Sequence, residues 1–162
     1  MYTGKHAYLR PLQPAFIMAG TGEIVTYREL EARNNRLAHL FRQQGMKRLD
    51  HYSIFMENNN RYLEACGAGE RAGLYFTCVN SFLTPSELAY ILTNSQSRIL
   101  ITSKLKLDVA REALRECPQV ELCIVVDGNS ETHSKRRDRG CAGAACVCHG
   151  AGRAGWNGAR RP

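Results

Sequence analysis

The stretch Ala72–Leu92, AGLYFTCVNSFLTPSELAYIL, dictates its own local structure more fully than any other part of the chain. An apolar run with aromatic and β-branched residues, Leu74 to Val79, leads into a fully specified helix start. Thr84 supplies the cap, and Pro85 suits the first helical position because the N–H it lacks would have no partner there. Glu87 reaches back to the Thr84 N–H and closes a capping box. Leu88, Ile91 and Leu92 then fall on one face at helical spacing. A strand–loop–helix unit is the only reading that uses all of these signals.

The same alternation extends to both sides. Residues 15–18 and 24–27 are short apolar runs flanking Ala19-Gly20-Thr21-Gly22-Glu23, which predicts a hairpin. Thr26 and Glu29 form a second capping box, for a helix to about Gln44 with Leu30, Leu37, Leu40 and Phe41 inward and Gly45 placed for a left-handed C-terminal cap. Strands are then predicted at 52–56, 74–79, 98–102 and 122–126. Helices are predicted at about 60–72 (ending at Gly73), 85–93 and 104–116, the last stopped by Cys117-Pro118. Asn58-Asn59-Asn60 reads as a strand-to-helix turn with a good N-cap. The strands are short, continuous and β-branched, as strands buried on both faces are, and strand–helix alternation implies a mostly parallel sheet. The fold class is therefore α/β: a partial doubly wound, mostly parallel sheet with an N-terminal hairpin, followed by a disordered tail. The predicted organisation is a lead at 1–13, a folded part at 14–129 and a tail at 130–162.

The tail is set apart by composition. Net charge is +7, but residues 1–130 hold 15 Lys and Arg against 13 Asp and Glu, a balance of +2, while residues 131–162 hold 7 against 2, a balance of +5. From Ser130 onward there is no Leu, Ile, Met, Phe or Tyr. Ordering a backbone costs roughly 1–2 kcal/mol per residue, and this composition has little apolar surface to offset it. Arg, Gly, Ala, Cys, Trp and Pro enrichment is also what GC-rich coding DNA yields out of frame, so a frameshift near codon 129 is expected to account for the change. The 162 residues, 44% of them hydrophobic, otherwise suit one globular domain. No run approaches the roughly 18–20 apolar residues of a membrane helix, and the N-terminus lacks an apolar leader block, so a soluble, cytoplasmic protein is expected. Of seven cysteines, Cys66, Cys78, Cys117 and Cys123 lie in or beside apolar periodic segments and read as reduced, buried thiols.

Residues of roughly 14 to 128 resemble the N-terminal portion of AMP-forming acyl-CoA synthetases, the fatty-acid–CoA ligases of the adenylate-forming AMP-binding superfamily. The resemblance rests on TYRELEARNNRLAHLFRQQG (26–45), MENNNRYLEACGAGERAGLYFTCVNSFLTPSELAYIL (56–92) and RILIT (98–102), and it covers about 115 of the 162 residues. It implies a two-step reaction of fatty-acid metabolism. A carboxylate attacks the α-phosphorus of ATP and expels pyrophosphate; the CoA thiol then displaces AMP from the acyl-adenylate. The resemblance also implies that the family's working parts lie downstream: the Ser/Thr/Gly-rich phosphate loop ending in Lys, the adenine and ribose contacts, and a lysine of a small C-terminal domain. No Ser-Gly-Thr-Thr-Gly-like run occurs here. The expectation is a truncated ligase, inactive alone, with no catalytic, cofactor-binding or metal residue to assign. The full-length family uses ATP, Mg²⁺ and CoA; this fragment is expected to bind none of them.

Other motifs yield to simpler readings. Gly20-Thr21-Gly22 lacks the Gly-Lys-Ser/Thr and the following helix of a phosphate loop, and reads as a hairpin turn. Cys141, Cys146, Cys148 and His149 match neither structural-zinc nor haem-attachment spacing. His6, His39 and His51 are isolated. Lys135, Arg136, Arg137 and Arg139, with Arg153, Arg160 and Arg161, support the alternative reading, a non-enzymatic protein whose basic tail binds nucleic acid or lipid. Trp156 is the one aromatic among them, so specific nucleic-acid binding is not expected. Apolar surface left uncovered by truncation predicts self-association, and a separate downstream polypeptide is a possible complementing partner.

Overall fold

The computed structural model describes residues 3–126 and the backbone of 145–149. These divide into two compact units, one of residues 3–48 and 58–74, the other of 49–57, 75–126 and 145–149.

The first unit opens with α1 (Thr3–Leu9), a helix within the stretch read from sequence as a lead. The hairpin β1 (Pro14–Ile17) and β2 (Ile24–Thr26) is antiparallel, with Ile17 opposite Ile24. Its loop closes through Met18 N to Glu23 O (2.9 Å) and Gly22 N to Met18 O (2.8 Å), with Gly22 at φ +70°. Helix α2 (Tyr27–Gln43) starts at the predicted capping box: Thr26 N and Oγ1 donate to Glu29 Oε2 at 2.9 and 2.8 Å, and Glu29 N donates back to Thr26 Oγ1. It ends as expected, with Gly45 at φ +76° and Met46 N donating to Phe41 O.

Helix α3 (Tyr62–Ala72) packs against α2, and Gly73 caps its end in the left-handed region. Its start departs from the sequence reading. The N-cap position is Arg61, without a side-chain cap bond; Asn59 Oδ1 instead accepts from Arg61 N (2.9 Å), shaping the turn one step earlier, and Asn60 Nδ2 donates to Glu23 Oε2 (2.8 Å). Between α2 and α3 the buried Asn34 turns its NH₂ toward Leu30 O (3.1 Å) and Glu64 O (3.3 Å), with its carbonyl facing Thr3 Oγ1 (3.1 Å). Thr3 Oγ1 also lies 2.7 Å from Glu31 Oε2, and Arg71 pairs with Glu31 at 2.6 Å.

The second unit is a parallel sheet with its helices. Its strands are β3 (His51–Phe55), β4 (Tyr75–Val79), β5 (Ile99–Ser103), β6 (Leu122–Val126) and β7 (Ala145–His149), in the order β4-β3-β5-β6-β7. Every pairing is parallel. The chain steps from β3 to β4 on one side, then returns past β3 to lay down β5 and β6 on the other, which is the doubly wound pattern. Helix α4 (Pro85–Asn94) follows β4, and a 3-10 turn (Lys104–Lys106) followed by α5 (Leu107–Leu114) follows β5. The sequence read those last two elements as one helix.

One face of the sheet forms a continuous core with α4 and α5: Phe55, Val79, Leu100, Cys123 and Val125 meet Leu88, Leu92, Leu107, Ala110 and Leu114. The residues between them in the strands, Tyr52, Ile54, Ile99, Ile101 and Ile124, are also buried, so both faces are apolar, as the unbroken β-branched runs required. Strand β7 falls within the stretch read as a disordered tail and has no counterpart in the sequence reading; the other expectations for residues 127–162 fall outside the described residues. Among the cysteines, Cys117 and Cys123 are buried as expected. Cys66 is only half-buried and Cys78, on the outermost strand, is exposed, so the expectation of buried thiols is corrected for these two. No helix of the described residues is long and apolar enough to cross a membrane.

Both capping boxes carry a pH signature. The Thr84 hydroxyl and N–H donate to Glu87 Oε2 at 2.7 and 2.8 Å and hold its pKa below the ordinary 4.5; the Thr26 N–H and hydroxyl do the same for Glu29. A depressed folded-state value stabilises above the unfolded value and is lost as pH falls through the folded one. Thr84→Ala should therefore cost about 1 kcal/mol at neutral pH. The gap between variant and wild type should narrow below pH 4.5, read as urea midpoints at the two pH values. A gap that is independent of pH would refute the carboxylate's part in the cap.

Candidate functional site

In an open parallel sheet, ligands bind beyond the carboxyl ends of the strands, where the strand order reverses. Here that point lies between β3 and β5. Glu57 follows β3 and Ser103 closes β5; the Ser103 hydroxyl donates to Glu57 Oε2 at 2.5 Å. Beside them the loop after β4 is held by Asn80, whose side-chain carbonyl accepts from Phe82 N (3.0 Å). This loop presents Phe82, 87% exposed, and Lys106 of the 3-10 turn places its ammonium 5.1 Å from the Phe82 ring centre. Leu105, 74% exposed, and the exposed Lys104 complete a small basic, aromatic face.

Such a face can hold a flat or anionic group by stacking and charge. Among the described residues no three His, Cys, Asp or Glu side chains stand where they could hold a metal ion. Glu57 is engaged with Ser103, and among the described residues no glycine-rich loop wraps the site. The described residues at this end of the sheet offer no ligand set for Mg²⁺ beside a nucleotide.

The amino ends of the strands are polar but occupied. Arg98 bridges Asp50 (2.5 Å) and Glu121 (2.8 Å), and this contact with Arg98 holds Glu121 below the usual carboxylate range. His51 Nδ1 lies 2.6 Å from Ser95 O, and its ring meets Tyr75 edge-on. Ser53, Ser95 and Ser97 share hydroxyl protons, Ser53 to Ser97 at 2.7 Å and Ser95 to Ser97 at 2.8 Å. Serines and a histidine stand close here, but His51 Nδ1 meets a main-chain carbonyl rather than a hydroxyl, so His51 is not set up as a base for a serine nucleophile. Burial pushes the Cys117 thiol up, away from thiolate chemistry.

Gly20 and Gly22 belong to the hairpin loop. His6 stacks on Tyr27 with ring centres 5.0 Å apart, and His39 is exposed. Cys141 and the basic tail lie outside the described residues, as do the side chains of Cys146, Cys148 and His149. Sequence reasoning missed the pairing of Phe82 with Lys106, and Ser103 with Glu57, because residues far apart in the chain meet only through the strand order.

Fold and strand order together define a doubly wound α/β scaffold with its crevice between β3 and β5, and comparison with known proteins places it in a family. The chain belongs to the AMP-binding enzyme family, which it matches over residues 4–144. It is 33% identical over 114 residues to a 3-oxocholest-4-en-26-oate–CoA ligase of Rhodococcus rhodochrous, covering 70% of this chain and 20% of that protein. A medium/long-chain-fatty-acid–CoA/3-oxocholest-4-en-26-oate–CoA ligase of Mycolicibacterium smegmatis is 29% identical over 115 residues, 71% of this chain and 21% of that one. The fold matches the coronafacic acid ligase of Pectobacterium brasiliense with a TM-score of 0.76 at 20% identity, over 90% of this chain and 27% of that one. The chain thus spans about a fifth of the length of the curated relatives it matches.

Proposed function

We propose that this chain is the amino-terminal scaffold of a fatty-acid–CoA ligase and that a polypeptide of these 162 residues does not activate an acid by itself. The family reaction needs groups that neutralise charge as pyrophosphate leaves the α-phosphorus. The observation that supports the reading is the mismatch at the carboxyl end of the sheet: a doubly wound scaffold with an exposed Phe82–Lys106 face and, among the described residues, no cluster of side chains that could hold a metal ion. A fatty acid is favoured as substrate by the CVNSFLTPSEL wording and by the fatty-acid and steroid-acid ligases among its relatives.

The test is ATP–pyrophosphate exchange by the purified chain with a long-chain fatty acid. Exchange should stay at the no-enzyme background, and adding a polypeptide that carries the downstream portion of a related ligase should be needed to raise it. Acyl-adenylate made by the chain alone would overturn the proposal.

A further inference from the structure

The first unit carries a second surface that the ligase reading does not use. Tyr8, Leu9 and Leu12 are 86%, 59% and 72% exposed, three large apolar side chains within five residues. They sit on a braced frame, not a loose end. Arg10 N donates to His6 O (2.8 Å) and Gln13 N to Arg10 O (3.1 Å), while Tyr27 N and Arg28 N donate to Gln13 O and Pro11 O (both 3.1 Å). The hairpin adds Ile17 and Ile24, 59% and 54% exposed and directly opposite each other.

Charge decides what such a surface suits. Lys5, Arg10 and Arg28 are exposed in the same stretch, and the acidic residues nearest it are engaged: Glu23 accepts from Asn60, Glu29 accepts from Thr26, and Glu31 meets Thr3 and Arg71. Exposed apolar side chains with cations close by in the chain complement the boundary between anionic headgroups and acyl chains. Tyr8 is amphipathic in the way interfacial residues are. A second copy is a poorer occupant, because an isologous contact sets one copy of this cationic stretch against another.

We infer that the Tyr8–Leu12 face, with Lys5, Arg10 and Arg28, docks on an anionic lipid surface. This goes beyond the ligase reading and stands or falls separately from it. The test is co-sedimentation of the full chain with phosphatidylcholine vesicles, with and without phosphatidylglycerol. Binding should require phosphatidylglycerol, weaken with salt, and fall about tenfold or more in Tyr8→Ser/Leu9→Ser/Leu12→Ser and in Lys5→Glu/Arg10→Glu. Circular dichroism should show both variants folded, since the altered side chains are exposed. The control Arg136→Ser/Arg137→Ser/Arg139→Ser should retain binding. The inference is overturned if the wild type ignores phosphatidylglycerol, if the apolar variant binds as well as wild type, or if the control variant alone abolishes binding. It is equally overturned if the apolar variant converts a dimer to a monomer in sedimentation velocity while vesicle binding is unchanged; the face then belongs to a second copy.

Discussion

Phe55→Ala should lower the unfolding free energy by about 3–5 kcal/mol, the range for a large aromatic removed from a sealed core. Phe55 ends β3 with no exposed surface, its Cα paired with Val79 on one side and Thr102 on the other. It belongs to the cluster that holds the sheet against α4 and α5. Two losses add: the transfer free energy of the ring, and the contacts its neighbours lose around a cavity that a braced strand cannot collapse to fill. The companion change Phe82→Ala removes the same side chain from a site 87% exposed and should stay within about 0.5 kcal/mol. Urea unfolding of the two variants checks both. A loss of under 1 kcal/mol at Phe55 would mean that β3 is not the centre of the core.

The second large effect concerns a glycine. Ala in place of Gly67 should gain helix propensity, up to about 1 kcal/mol. At this position we expect a net loss of about 1–3 kcal/mol instead. A Cβ built on Gly67 meets a side-chain atom of Asn34 at 2.2 Å and its Cγ at 2.8 Å. Asn34 has no exposed surface and is held between the carbonyls of Leu30 and Glu64, so it cannot swing aside without leaving its amide unsatisfied. A double-mutant cycle separates clash from propensity. In an Asn34→Ala background Gly67→Ala should become neutral or stabilising, with a coupling of about 1–3 kcal/mol. Additive losses would place the cause elsewhere in α3.

How much of this was written in the sequence varies with the physics of each element. The starts of α2 and α4 were fully legible, because a capping box is a local bond between residues three apart. The end of α4 was not. Its left-handed position is Gln96, at φ +53°, with Ser97 N donating to Leu92 O, and no glycine announces it. Helix α1 has seven residues and no acidic first turn, too little for periodicity to register. Strand β7 pairs with β6 through its backbone, which needs no particular side-chain pattern. The candidate site was the least legible part. Glu57 and Ser103 lie 46 positions apart, and only the return of the chain past β3 brings them into contact.

The interleaving of the two units has a consequence for biosynthesis. Leaving the ribosome at roughly 5–20 residues per second, the chain exposes α2 before α3, the helix it packs against, has been made. Strand β3 likewise emerges with neither neighbour, since β4 begins at Tyr75 and β5 at Ile99. The sheet cannot close on both sides of β3 until residue 103 is out, so the nascent chain must keep the apolar HYSIF segment from pairing wrongly for half a hundred residues.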